Sequence, residues 1–128
     1  YTLPFIFLNK YKKNYDECLF IDKNNFVSET TKSNVFFVKE KTLFTPKKGF
    51  IIKGVTRDSV IKIARKINLK ISEKNISSSE LDKFNECFLT GTYIGIKSVK
   101  SIDNIEYKNT AIAKKIRKIY FDILTNKT

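Results

Sequence analysis

One stretch decides the fold of this chain, and it runs Asn85-Glu86-Cys87-Phe88-Leu89-Thr90-Gly91-Thr92. Its apolar centre predicts a buried strand, and Thr90-Gly91-Thr92 supplies the residue types of a tight turn. Hydroxyls and closely spaced backbone amides at such a turn can also hold a phosphate or a carboxylate. A plain turn needs the same residues, so this stretch alone leaves both interpretations open.

Upstream of it, Lys53-Gly54-Val55-Thr56-Arg57 opens the clearest helix of the sequence. An apolar stripe at helical spacing follows from Val60 to Ile67, and we take Thr56 as the N-cap. Glycine lets a ligand approach the backbone, and the amides of Val55 and Thr56 point outward at the helix N-terminus. This is a suitable site for an anion such as phosphate, although most helices that begin in this way bind nothing.

A third feature is the carboxyl group of Glu29. It ends a short strand that contains Val27, and it precedes a polar loop and the apolar strand Asn34–Val38. A carboxylate in this place can hold the protonated nitrogen of a ligand. On position alone, a surface glutamate at a turn is the simpler interpretation.

The rest of the pattern alternates strands with helices, and it predicts an α/β or α+β fold. We expect further strands at residues 18–21, 43–46, 69–71 and 93–102, short helices at 5–14 and 78–84, and a second long helix at 109–124. No low-complexity linker divides the chain, so we treat residues 1–128 as one domain.

The composition is that of a soluble globular protein, with 41% hydrophobic and 30% charged residues. No apolar run approaches the roughly 18 residues of a membrane helix. The net charge of +12 is spread along the chain and defines no site. Since there is no histidine, histidine-based nucleophiles are excluded. We therefore expect no metal site, no nucleic-acid partner and no membrane partner.

Both cysteines, Cys18 and Cys87, lie in apolar runs. We expect them to be buried free thiols, which indicates a cytoplasmic location. Organellar targeting by a segment that precedes the chain stays open.

In order and spacing, these stretches together resemble the class IV, or fold-type IV, enzymes that depend on pyridoxal 5′-phosphate (PLP). That family includes branched-chain aminotransferases, D-amino-acid aminotransferases and 4-amino-4-deoxychorismate lyases. The similarity spans roughly residues 15–103, and it is carried by Tyr15–Asp22, Val27–Phe36, Leu43–Pro46, Gly54–Asp58, Asn85–Thr92 and Val99–Asp103. The resemblance implies a C-terminal PLP-binding domain, with a mixed, strongly curved sheet or pseudo-barrel and flanking helices.

The resemblance also implies roles for individual residues. Glu29 matches the glutamate that pairs with the pyridine nitrogen of the cofactor. The amides of Val55 and Thr56, together with the Thr92 hydroxyl, match the phosphate cup. Arg57 is expected to form a structural ion pair.

The resemblance also implies a substrate-binding side and a catalytic lysine. Tyr1 matches a tyrosine near the phenolic oxygen of PLP, and the amides of Thr92 and Tyr93 match the place of the substrate carboxylate. The lysine that forms the Schiff base is expected just upstream of Tyr1, so we assign no catalytic residue within the chain. The N-terminal domain is expected to precede it, and the parent enzyme is expected to be a homodimer.

The reaction is less well defined by the sequence. Gly54–Arg57 and Thr90–Thr92 favour an aminotransferase that acts on an amino acid, such as a branched-chain one, and a 2-oxo acid. Tyr93–Ile96 resembles some aminodeoxychorismate lyases, which are the alternative. A distant alternative is an RNA-binding module, because Lys32–Val38 has the basic start and paired aromatic residues of a base-stacking strand.

Overall fold

The structure, a computed structural model, describes residues 2–4, 19–30, 33–47, 55–91 and 95–125, with the main chain alone at residues 2–4, 29, 30 and 55. Its strands are β1 (Thr2–Pro4), β2 (Leu19–Asp22), β3 (Val27–Thr30), β4 (Asn34–Lys39), β5 (Thr42–Thr45), β6 (Lys70–Glu73), β7 (Glu86–Gly91), β8 (Gly95–Ser98), β9 (Ser101–Ile102) and β10 (Ile105–Glu106). Its helices are α1 (Val55–Lys66), a 3-10 helix (Ser78–Lys83) and α2 (Ala111–Thr125).

Five of these strands form the central sheet, in the order β6-β5-β4-β7-β8. β5 and β6 are parallel, and α1 connects them, as a parallel pair requires a crossover. The other pairs of this sheet are antiparallel. The mixed sheet with flanking helices confirms the predicted class. The described strands form an open sheet rather than a closed barrel, because β6 and β8 are separated by three strands.

The two faces of the central sheet carry different cores. Phe36 and Phe37 are adjacent in β4 and therefore point to opposite faces. Phe36 stacks on Phe88, with ring centroids 5.2 Å apart, in the core formed with α1 and α2. Phe37 stacks on Phe84 at 4.9 Å, in the core formed with β2, β3 and the 3-10 helix. Both rings are fully buried, so neither is available to stack on a nucleic-acid base.

The helices cover their face of the sheet with the apolar stripes that the sequence predicts. α1 buries Val60, Ile63 and Ala64, and α2 buries Ala113 and Ile116. The basic residues of α2 lie on its exposed side, as expected for a solvated outer face. No helix in the described part of the chain is long and apolar enough to cross a membrane.

Two elements differ from the sequence prediction. The helix near residues 78–84 is a 3-10 helix. The strand expected at 93–102 is interrupted, because β8 ends at Ser98 and the chain turns back at Asp103, whose φ is 56°, to pair β9 with β10. Of the two expected buried thiols, Cys87 is buried and free. Cys18 and the helix expected at residues 5–14 lie outside the described residues.

Candidate functional site

One end of the central sheet brings together the segments that the sequence analysis singled out. β4 begins at Asn34, which pairs with Thr90 near the end of β7. β8 begins at Gly95, which pairs with Gly91. Because these strands are antiparallel, the start of β4, the end of β7 and the start of β8 lie at the same end of the sheet. Asn34, which comes five residues after Glu29 in the sequence, and Gly91 therefore lie at the same end of the sheet.

The first turn of α1 reaches this same end. The hydroxyl of Thr56 is buried and lies 3.5 Å from the carbonyl oxygen of Gly91 and 3.3 Å from the hydroxyl of Tyr120 in α2. The two predicted anion-binding segments are thus in direct contact. Thr56 is not the N-cap, because α1 begins at Val55. Its hydroxyl is used in these tertiary contacts instead.

The sequence neighbours of Thr56 and Gly91 include two buried polar residues, Arg57 and Thr90. Arg57 follows Thr56, is 3% exposed, and places Nη2 3.5 Å from Oε2 of Glu73 at the end of β6. This is the structural ion pair expected for Arg57. Its Nη2 and the Oγ1 of Thr90, which precedes Gly91, have no hydrogen-bond partner among the described residues. The Arg57 guanidinium is thus used by the ion pair with Glu73, and the Thr90 hydroxyl is a buried donor without a partner in the described part of the chain.

The other predicted site residues are described less fully. Glu29 lies in β3, which pairs antiparallel with β2, and only its main chain is described. Val55 is the first residue of α1. Tyr1, Thr92 and Tyr93 lie outside the described residues, although Thr92 directly follows the end of β7.

The sequence analysis missed the role of Glu86. This residue opens β7 and is 1% exposed. Its Oε2 accepts the N–H of Ile112 at 2.9 Å, and its Oε1 accepts the N–H of Ala113 at 3.1 Å. Glu86 therefore caps the N-terminus of α2 from a distant strand. The available signal was a charged residue at the start of an apolar strand, on the same face as Phe88.

The core on the opposite face of β7 contains two protonated groups, the thiol of Cys87 in β7 and the hydroxyl of Tyr107, which follows β10. Burial raises the pKa of the Cys87 thiol well above its usual value. Burial also raises the pKa of Tyr107, with smaller contributions from Cys87 and Asp82. The Tyr107 hydroxyl donates a hydrogen bond of 2.7 Å to the carbonyl oxygen of Leu81. Neither group is a nucleophile at neutral pH, and the Tyr107 hydroxyl holds the 3-10 helix in place.

Comparison with known proteins agrees with this arrangement. The family model described as amino-transferase class IV matches residues 8–102. A probable branched-chain-amino-acid aminotransferase of Rickettsia felis is 36% identical over 110 residues, which cover 83% of this chain and 38% of that protein. The chain thus spans less than half the length of this relative.

Solved structures agree in fold. The branched-chain aminotransferase of the thermophilic archaeon Thermoproteus uzoniensis, solved with norvaline, superposes with a TM-score of 0.85 at 30% identity, over 94% of this chain and 41% of that one. The enzyme of Thermobaculum terrenum in its PLP form gives a TM-score of 0.85 at 33% identity, over 92% of this chain and 40% of that one. The family match and these likenesses show that the chain belongs to the class IV amino-transferases.

Proposed function

We propose that this chain is the C-terminal, PLP-binding domain of a longer class IV aminotransferase. The enzyme moves an amino group between an amino acid, with a branched-chain one as the first candidate, and a 2-oxo acid. The contact between Thr56 and Gly91 carries the proposal, because it joins the two segments assigned to the phosphate. We also propose a cytoplasmic location and a homodimeric parent enzyme.

The residues at this end of the sheet fit the phosphate of PLP. Amides in the first turn of a helix have no acceptor within the helix, so the N–H groups of Val55 and Thr56 can bind an anion there. The Thr92 hydroxyl follows directly on β7 and would complete the cup. The Thr90 hydroxyl, next to Gly91 in β7, has no hydrogen-bond partner among the described residues and offers one further donor.

Glu29 has a different task in the proposal. Bound PLP would supply an electron sink for the charge that develops on the substrate α-carbon. Glu29 would keep a proton on the pyridine nitrogen, which that sink requires. Glu29 lies in β3, five residues before Asn34 begins β4 at this end of the central sheet, and this position supports the role.

The proposed substrate side involves Tyr1, Thr92 and Tyr93, together with a lysine that is not in this chain. The amides of Thr92 and Tyr93 would bind the substrate carboxylate, and Tyr1 would lie near the phenolic oxygen of PLP. We place the cofactor-linking lysine in the part of the protein that precedes this chain. The match covers 38% of the Rickettsia felis aminotransferase, so most of an enzyme of that length lies outside this chain.

Amino transfer is favoured over the lyase reaction by the names of the relatives, which are branched-chain aminotransferases. The test uses the full-length protein, that is, this chain with the N-terminal part proposed for it. With PLP, leucine and 2-oxoglutarate, we expect glutamate to form. Release of pyruvate and p-aminobenzoate from aminodeoxychorismate, with no glutamate from leucine, would assign the lyase reaction instead.

Replacement of Glu29 by Gln tests the site. The amide cannot stabilise a proton on the ring nitrogen, so turnover should fall by about 100-fold or more while the fold is retained. The control is Glu40→Gln, since Glu40 is exposed in the turn between β4 and β5, and it should leave turnover unchanged. Near-normal turnover of the Glu29 variant would show that this residue does not contact the cofactor nitrogen.

A further inference from the structure

The directions of two hydrogen bonds at Thr56 can be assigned. The carbonyl oxygen of Gly91 can only accept, so the Thr56 hydroxyl donates its single hydrogen to it. Nothing remains for Thr56 to donate to Tyr120, and the Tyr120 hydroxyl therefore donates to Oγ1 of Thr56. The hydroxyl of Tyr120, the hydroxyl of Thr56 and the carbonyl oxygen of Gly91 thus form a chain of two hydrogen bonds, called the relay below. It joins α2 and α1 to the end of β7.

This relay determines which atoms of Thr56 remain for a ligand. Its hydroxyl hydrogen is committed to Gly91, and its oxygen accepts from Tyr120. The N–H of Thr56 lies in the first turn of α1, where a helix offers no internal acceptor. The relay thus fixes the side chain and leaves the backbone amide as the anion-binding group.

Tyr120 is itself held in place by its helix. The Glu86 carboxyl group bonds the first turn of α2 to the start of β7. Ile116, one turn before Tyr120, is fully buried against the sheet. Tyr120 therefore approaches Thr56 from an element that is anchored at two points, and the anchor at Glu86 is in the same strand that ends at Gly91.

We infer that Tyr120 is a positioning residue for the cofactor phosphate. It acts through Thr56 and keeps the first turn of α1 against the end of β7, so that the free amides of that turn are held in place for the anion. The inference rests on the proposed function, and it assigns a task to a residue of the last helix that lies outside the segments resembling the family's site.

Both oxygen–oxygen distances in the relay exceed the roughly 2.8 Å that is usual when a hydroxyl donates to an oxygen. Loss of the Tyr120 hydroxyl should therefore weaken phosphate binding only moderately. The ligands for the test are pyridoxamine 5′-phosphate and pyridoxamine, which differ only in the phosphate. In the full-length protein, Tyr120→Phe removes the hydroxyl and keeps the ring. The dissociation constant for pyridoxamine 5′-phosphate should rise about three- to tenfold, and that for pyridoxamine should not change.

A double-mutant cycle tests whether Tyr120 acts through Thr56. Thr56→Val removes the shared hydroxyl at nearly constant shape and should produce a similar shift. The double variant should then bind pyridoxamine 5′-phosphate no more weakly than Thr56→Val alone. Additive losses would overturn the relay, because they would mean that the two hydroxyls act independently.

The matched control is Tyr107→Phe. Tyr107 is also buried and donates a hydrogen bond to a carbonyl oxygen, but it lies on the other face of the sheet. This variant should leave the ratio of the two dissociation constants unchanged. The inference is overturned if Tyr120→Phe weakens both ligands equally or neither, or if Tyr107→Phe shifts the ratio as much. If the unaltered protein binds neither ligand, the proposed function itself fails.

Discussion

In the described part of the chain, the 3-10 helix and α2 are each capped with the help of a glutamate. The two glutamates differ in their distance from the helix in the sequence. The 3-10 helix is capped locally, since the Ser77 hydroxyl accepts the N–H of Ser79 and the Glu80 carboxyl group accepts the N–H of Ser77. α2 is capped by Glu86, which lies 26 residues before Ile112 in the sequence and belongs to the central sheet. The first cap shapes one turn, whereas the second joins a helix to a strand.

The surroundings of the two carboxyl groups differ as much as their origin. The side chain of Glu80 is 27% exposed and also forms an ion pair with Lys74 at 3.1 Å. Glu86 is 1% exposed and faces the core between the sheet and the helices. Water can replace a lost bond at Glu80 but not the buried bond from Ala113 to Glu86, because a buried N–H without a partner keeps its full desolvation cost. The buried cap should therefore be the more important for stability.

The largest effect is expected from Glu86→Gln. Glutamine keeps the shape but replaces one acceptor oxygen with a donor, so one N–H of the first turn of α2 loses its partner. The local opening free energy of the α2 amides should fall by about 2–3 kcal/mol, as measured by hydrogen exchange in the full-length protein. The matched change Glu80→Gln should leave α2 unchanged. Equal effects of the two changes on α2 would remove the distinction between the caps.

A smaller effect is expected from Ser77→Ala. This change removes the hydroxyl that accepts the N–H of Ser79, and the loss of an N-cap of this kind costs about 1 kcal/mol. Hydrogen exchange should accelerate in the 3-10 helix and in the neighbouring β3, because Val27 donates to the carbonyl oxygen of Ile76. Equal acceleration of exchange in α2 would show that the effect of the Ser77 cap is not confined to the 3-10 helix and β3.

The smallest effect is a dependence on pH at the exposed cap. Partial burial opposes ionisation of Glu80, but the N–H of Ser77 and the ammonium group of Lys74 outweigh it and lower its pKa below the usual 4.5. A lowered pKa in the folded state means that ionised Glu80 stabilises the fold above pH 4.5, and this contribution is lost as the pH falls through the lowered value. Solvent screening keeps it small.

Hydrogen exchange of the 3-10 helix, corrected for the intrinsic rate, measures this dependence. As the pH falls from above 4.5 through the lowered pKa of Glu80, protection in the original protein should decrease by more than in the Glu80→Gln variant. Identical pH profiles of the two proteins would show that ionised Glu80 does not stabilise this helix.

Much of the fold could be predicted from the sequence because its signals are local. The apolar stripe from Val60 to Ile67 predicts a helix through its spacing, and the short continuous apolar run Val35–Val38 predicts a buried strand. The order of Glu29, Gly54–Arg57 and Thr90–Thr92 was sufficient to identify the family, since each segment keeps its own short pattern. The family match over residues 8–102 confirms that identification.

The sequence by itself thus determined the elements, the family and the segments of the candidate site. Only the tertiary structure decided that the Thr56 hydroxyl turns to Gly91 and Tyr120, and that Glu86 caps α2. Both facts depend on which side chains come together across gaps of 26 to 64 residues. A local sequence pattern does not tell which residues this far apart in the sequence come into contact. The packing of the helices on the sheet brings these groups together.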